Sequence, residues 1–315
     1  MKKIILILLT LAIVLLGVIG CKQNKKTAAR NENGKINVTT TIFPPYDFVR
    51  QIARDKVNLN MLLPPGAESH SFEPSPKDII TIQNSTIFIY CGGDSDNWID
   101  RILQSMNTDN MRILAMMNTV EVVEEETVEG MEEEEEEEEV AYDEHVWTSP
   151  RNAILIVKAI TELLCEADSA NADFYRQNSS AYIKSLEELD TEFTKIVTGA
   201  KRKTIVFGDR FPFRYFADAY GLSYFAAFPG CSTETEPSAA TVAFLINKIR
   251  DEKIPVVFHI ELSNERMADT ISAETGAKKL LLHACHNVSK KDFEAGLGYL
   301  DFMRRNTESL RQALY

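Results

Sequence analysis

The 315-residue sequence predicts an α/β protein of two lobes, each a mostly parallel sheet flanked by helices, joined by a long rigid backbone helix. Three observations carry this. From residue 36 onward, short β-branched or apolar runs alternate with helical patterns, as in a parallel sheet covered on both faces. The alternation then gives way to a helical stretch over 150–199, broken near Asp168-Ser169, and restarts after Gly199. The second part of that stretch spaces Phe174, Ala181, Ser185, Leu189, Phe193 and Ile196 by three, four and seven, so it is amphipathic. At a rise of about 1.5 Å per residue it reaches roughly 40 Å, more than a crossover helix needs, and it is read as spanning both lobes.

In the first half, 36–41 (INVTTT) is a strand, and Pro44-Pro45 opens a short helix carrying Phe48, Val49 and Ile52. The run 57–63 is the second strand. It leads into PPGAESHSFEPSP (64–76), where the prolines fix φ and Gly66 allows positive φ, so His70 sits on a stiff loop. Ser75-Pro76 is a helix start, with Ser as N-cap and Pro at the first helical position. Strands follow at 86–91 (TIFIYC) and 111–115, with a helix at 96–104 between them. Thr148-Ser149-Pro150 starts the long helical stretch. In the second half, strands are expected at 203–207, 222–228, 255–260 and 279–282, and helices at 213–220, 238–252, 264–275 and 299–314.

Residues 1–20 read as an address rather than fold. Lys2 and Lys3 precede an apolar run over 4–19, and Val18-Ile19-Gly20-Cys21 resembles the lipobox of a bacterial lipoprotein signal, with Cys21 as the lipidated residue. Residues 21–35 then form the lipidated cysteine and a flexible tether, which places the protein outside the cytoplasmic membrane, anchored by lipid. A plain signal peptide or a short membrane anchor is the alternative. The domain plan is an N-terminal lobe over 36–170, an interlobe helix over 171–199 and a C-terminal lobe over 200–315.

The net charge of −13 is local. Thirteen glutamates lie between Glu121 and Glu139, eight of them consecutive from Glu132, and without them the chain is near neutral. Like-charge repulsion predicts a disordered acidic insertion over 121–140, and nothing points to nucleic acid. The run could collect cations weakly. Cys91, Cys165, Cys231 and Cys285 show no CxxC spacing, which argues against a structural zinc knot.

Five stretches together resemble one family: TTIFPPYDFVRQIA (40–53), LLPPGAESHSFEPSPKD (62–78), DEHVWTSPRNA (143–153), EPSAA (236–240) and YLDFMRRN (299–306). They are similar to the zinc and manganese substrate-binding lipoproteins of bacterial ABC transporters (cluster A-I), and the likeness runs over essentially all of 36–315. The resemblance implies a metal cleft between two α/β lobes, with His70 as first ligand and His145 as second. Asp143 or Glu144 would orient the His145 ring. Relatives carry a third histidine after the first strand of the second lobe; here Gly208 takes that place, with Asp209 beside it. The fourth position, a carboxylate in zinc relatives, falls on His286 in the sequence His283-Ala284-Cys285-His286.

The expected ligand set is therefore His70, His145, His286 and His283, with His283 also readable as a core residue. Cys231 is a lesser candidate, and His259, within a buried strand, reads as structural. Imidazole ligation favours Zn2+ as the transported ligand over Mn2+, whose sites take more carboxylate. The implied partners are an ABC permease and its ATPase, the metal ion and the membrane, with the protein a monomer. There is no HExxH, GxSxG or Walker loop, so no enzyme is expected. The competing readings are a manganese or other divalent-metal carrier, a surface zinc-dependent hydrolase using Glu68 or Glu144 as base, and an adhesin.

Overall fold

A computed structural model describes residues 33–68, 72–131, 141–231 and 237–315. The N-terminal lobe is built on a four-stranded parallel sheet of order β2-β1-β3-β4: β1 (Ile36–Thr40), β2 (Val57–Met61), β3 (Ile87–Tyr90) and β4 (Arg112–Ala115). The central strands are mostly buried, β3 (IFIY) with apolar side chains and β1 (INVTT) with buried threonines among them, as in a sheet covered on both faces. Helix α1 (Phe43–Ala53) connects the first two strands and α2 (Pro76–Gln83) precedes β3. Ser75 caps α2 with a reciprocal capping box to Asp78, and Pro76 fills the first helical position, as the sequence predicts. Helix α3 (Asn97–Ser105) leads on to β4.

Helix α4 (Pro150–Ala167) and the 27-residue α5 (Ala172–Thr198) follow, separated by a short turn at Ser169–Asn171. Ser149 precedes α4 but makes no side-chain cap; Pro150 alone sets the start. Helix α5 packs against α4 and α1 of the first lobe and also against the C-terminal helix of the second. At about 1.5 Å per residue it is roughly 40 Å long.

The C-terminal lobe repeats the strand order of the first. Strands β5 (Thr204–Val206) and β6 (Ser223–Phe225) pair in parallel, as do β7 (Val256–His259) and β8 (Lys278–Leu281). A parallel bridge from Phe207 to Phe258 joins the two pairs, giving β6-β5-β7-β8 against β2-β1-β3-β4. Its helices are α6 (Arg214–Tyr220), α7 (Ala239–Glu252), α8 (Arg266–Thr275), α9 (Lys290–Glu294) and α10 (Tyr299–Leu314). One buried apolar cluster runs from Ile36 and Phe48 through Trp147 and Phe193 to Phe258, Tyr299 and Leu314, so the lobes share a core.

The acidic stretch departs from expectation in its first half. Residues 121–131 are placed against the protein: Glu124 bridges Tyr142 antiparallel, Glu125 N–H donates to Ala141 O at 2.9 Å, and Asp143 N–H donates to Val123 O at 3.0 Å. Val123, Val128 and the buried Met131 anchor it. Its acids reach second-lobe partners, Glu126 to Arg214 at 3.1 Å and Glu125 to the Cys231 N–H at 2.7 Å. Apolar residues at 123, 128 and 131 and complementary charges outweigh the local repulsion. The consecutive glutamates 132–139, like residues 1–32, lie outside the described residues.

Candidate metal centre

The site begins at the turn Asp143-Glu144-His145, which enters a single 3-10 turn at Val146–Thr148 just ahead of α4. His145 is almost wholly buried, at 1% exposure. Asp143 Oδ1 accepts the His145 backbone N–H at 2.7 Å and lies 3.1 Å from the ring Nδ1. A carboxylate can only accept, so Nδ1 carries the hydrogen and Nε2 keeps its lone pair for a metal. Burial pulls the ring pKa down, but Asp143, with Glu144 and Glu125 farther out, outweighs it and the net direction is upward. A metal must therefore displace a proton from this ring as the solution turns acid. Glu144 does not share the orienting role. Its Oε1 turns away to accept the Ser95 N–H at 2.6 Å, and burial raises its carboxyl pKa.

His286 comes from the other lobe, on the turn that follows β8. Its ring stands edge-on to His145, centroids 5.2 Å apart at 87°, and 4.9 Å from the Trp147 ring. Trp147 Nε1–H donates to Ala284 O at 2.8 Å, tying the two histidine segments together. Asn287 ties in a third: its Nδ2 donates to Pro64 O and Ala67 O, each at 2.8 Å, and Gly66 N–H donates to Val288 O at 2.8 Å. The described part of the stiff proline loop is thus bonded directly onto the His286 turn.

Between the lobes, His145 and His286 line one cavity with Glu68, Arg210, Gly230 and Glu261. It is small, with about 40 Å³ open to the centres of water-sized species, enough for an ion with a water or two. Imidazoles from both lobes line it, His145 from the first and His286 from the second.

Comparison with known proteins agrees. Residues 38–313 match the family described as ZnuA, zinc-uptake complex component A, periplasmic. The chain belongs to the ZnuA family. It is 34% identical over 294 residues to the high-affinity zinc uptake system protein ZnuA of Bacillus subtilis, covering 93% of this chain and 92% of that one. It is 31% identical over 314 residues to the zinc-binding lipoprotein AdcA of Streptococcus pneumoniae, spanning 99% of this chain but 61% of AdcA. Among solved structures, the Zn(II)-bound ZnuA-like domain of Streptococcus pneumoniae AdcA superposes with a TM-score of 0.75 at 30% identity, covering 89% of this chain and 99% of that one. The metal-dependent lipoprotein YcdH of Bacillus subtilis gives 0.76 at 32% identity, with the same two coverages.

Within this ZnuA-family fold the remaining candidates separate. Gly208, the place expected for a third histidine, does not face the cleft. A Cβ there would lie 2.7 Å from Ala268 Cα, so the position is pressed against α8 and closed to any side chain. The residue of that segment lining the cleft is Arg210, paired with Glu68 across the lobes at 3.5 Å. Asp209 joins strand ends instead, its Oδ2 accepting the Ile260 N–H at 3.2 Å. His259 lies beside Glu265 and Ile260 O, away from the cavity.

His283 is not brought to the cavity with His286. Its ring stacks on Phe302 at 4.1 Å and its Nδ1 accepts the Cys285 N–H at 3.0 Å. Burial lowers its pKa, so it stays neutral and structural. Cys231 and the other described cysteines, Cys91, Cys165 and Cys285, are free thiols. His70 and Cys21 lie outside the described residues. Among the described residues no three His, Cys, Asp or Glu side chains form a metal cluster.

Sequence reasoning missed Glu261, Asn287 and Gly230. Glu261 follows the strand VVFH by two residues, a carboxylate at a strand's carboxyl end, which is a signal that can be read. Gly230 left none. A Cβ on it would stand 2.9 Å from Phe211 O, 3.1 Å from Asp143 Oδ2 and 3.3 Å from His145 Cε1. Gly230→Ala therefore pushes on the Asp143–His145 pair, with an expected destabilisation of about 1–3 kcal/mol and weaker metal binding. Thermal unfolding and a zinc titration check it; wild-type values in both refute the close approach.

Proposed function

We infer that this protein is the extracytoplasmic zinc-capturing component of a zinc ABC importer, with His145 and His286 holding the ion between the lobes. The observation that carries the reading is the pair of rings 5.2 Å apart, one from each lobe, on one small cavity. His70 is proposed as a third ligand from the motif alone, and His283 is left out of the set because its ring is engaged with Phe302 and Cys285. Neutral imidazoles suit zinc better than manganese. Delivery to a permease and its ATPase, and anchoring through a lipid on Cys21, belong to the same proposal. The names of the zinc-binding relatives support it.

The hydrolytic alternative loses ground on two acids it needs. Glu68 is paired with Arg210 and Glu144 with the Ser95 amide.

The test is a zinc titration of the purified protein with metal analysis. One zinc per chain is expected. His286→Ala should weaken binding by about a hundredfold, on the scale of one ligand's share of a zinc site. His283→Ala should keep the one-zinc stoichiometry and lower the Tm. Wild-type affinity in His286→Ala, or lost stoichiometry in His283→Ala, would overturn the assignment.

A further inference from the structure

We propose that Glu261 is the positioning residue for His286, setting the ring through the backbone of the turn that bears it. The proposal rests on the reading of the His145–His286 cavity as a metal site.

The turn is unusual in where its amides go. His283 N–H donates to Asn306 Oδ1 at 2.8 Å, Ala284 N–H to Glu261 Oε2 at 2.7 Å, Cys285 N–H to His283 Nδ1 at 3.0 Å, and His286 N–H to Glu261 Oε1 at 2.9 Å. Four consecutive amides thus end on side-chain acceptors, with neither helix nor ladder to hold them. Cys285, in the middle, has φ of 62°, a left-handed backbone that a residue with a Cβ keeps only when its surroundings impose it. Glu261 grips the amide on each side of that strained residue. It alone in this acceptor set has two oxygens and a full charge, and charge-assisted bonds of this kind are the strong ones.

Glu261 also stands two residues beyond the end of β7, and its side chain is 8% exposed. Its carboxylate therefore carries the fixed position of a core strand to the turn, and the turn carries it to the His286 ring. It lines the same cavity, yet it does not complete a three-residue metal cluster with the histidines. It acts on the ion through the ligand, as residues that hold a metal ligand do.

The test compares wild type, Glu261→Gln, Glu261→Asp and His286→Ala by zinc titration, by the visible spectrum of the cobalt(II)-saturated protein, and by metal-free thermal unfolding. Gln keeps the shape but turns an amide nitrogen toward an N–H donor; Asp keeps the charge but cannot span both amides. Zinc affinity is expected to fall by about 10- to 100-fold in Glu261→Gln and less in Glu261→Asp, with an altered cobalt spectrum even at saturation. A lowered Tm with wild-type affinity and spectrum in both variants would reduce Glu261 to a structural residue and overturn the proposal. If His286→Ala itself binds as wild type, the underlying site reading fails. If His286→Ala is impaired while both Glu261 variants are not, Glu261 alone is removed.

Discussion

Replacing His145 by alanine is expected to weaken zinc binding by about a hundredfold or more, the largest loss for any single change in the cleft. A structural zinc site is worth about 10–16 kcal/mol in all, so one of the four positions of a tetrahedral site accounts for roughly 3 kcal/mol. His145 should exceed that share. It is the buried one of the proposed ligands, and its Nδ1 is held by Asp143, which fixes the ring orientation. Its loss also strands Asp143, at 1% exposure, beside an empty volume. Competition against a chromophoric chelator of known affinity measures the change. A loss under tenfold would mean that the ion sits elsewhere.

The largest expected effect on stability lies far from the cleft, at Asp47. This carboxylate is fully buried in α1 and bonds across to the opposite end of the chain. Its Oδ2 accepts the Tyr299 N–H at 2.7 Å, opening α10, and its Oδ1 accepts Arg50 Nε at 2.8 Å. Arg50 in turn donates to Gly296 O and Leu297 O, each at 3.1 Å. Asp47→Ala leaves a buried amide without an acceptor and a guanidinium without its counter-charge. Such losses cost about 3–5 kcal/mol. For a protein of this size that is roughly a 10 °C fall in Tm. A fall under about 2 °C would show that water or a rearranged Arg50 takes over these bonds.

The same motifs that made the family legible turn out to be the fastenings between lobes. TTIFPPYDFVRQIA supplies Asp47 and Arg50. YLDFMRRN supplies Tyr299, whose hydroxyl donates to Trp147 O at 2.7 Å, and Asn306, which brackets His283 on both its N–H and its O. The alternation of strand and helix was legible because each parallel strand is short and bounded by turn or helix-start residues. The long helix was legible from its length and from Leu189, Phe193 and Ile196; in its first half the buried stripe falls on Tyr175, Ser179, Tyr182 and Leu186 rather than on Phe174, Ala181 and Ser185.

What the sequence hid depends on where backbone turns aim. His283 and His286 are three residues apart in one motif, yet one stacks on Phe302 and the other faces the cleft. The cause is the left-handed Cys285 between them, which no composition rule anticipates. Gly208 was read as a vacancy in the donor set; it is a packing contact against Ala268, and the chain reaches the cleft two residues later at Arg210. The stretch 121–131 was read by its charge, while Val123, Val128 and Met131 decided its placement.

The repeated strand order of the two lobes has a consequence for how such a site changes over time. Both sheets present the carboxyl ends of their strands to the cleft, and apart from His145, which precedes α4, the polar groups lining the cavity include several on segments beyond those ends: Glu68 after β2, Arg210 after β5, Glu261 after β7 and His286 after β8. The sheets themselves contribute no side chain to the cavity. Donors can therefore be exchanged loop by loop without re-registering a single strand. A lineage can lose a histidine at one strand end and gain one at another while its scaffold stays the same.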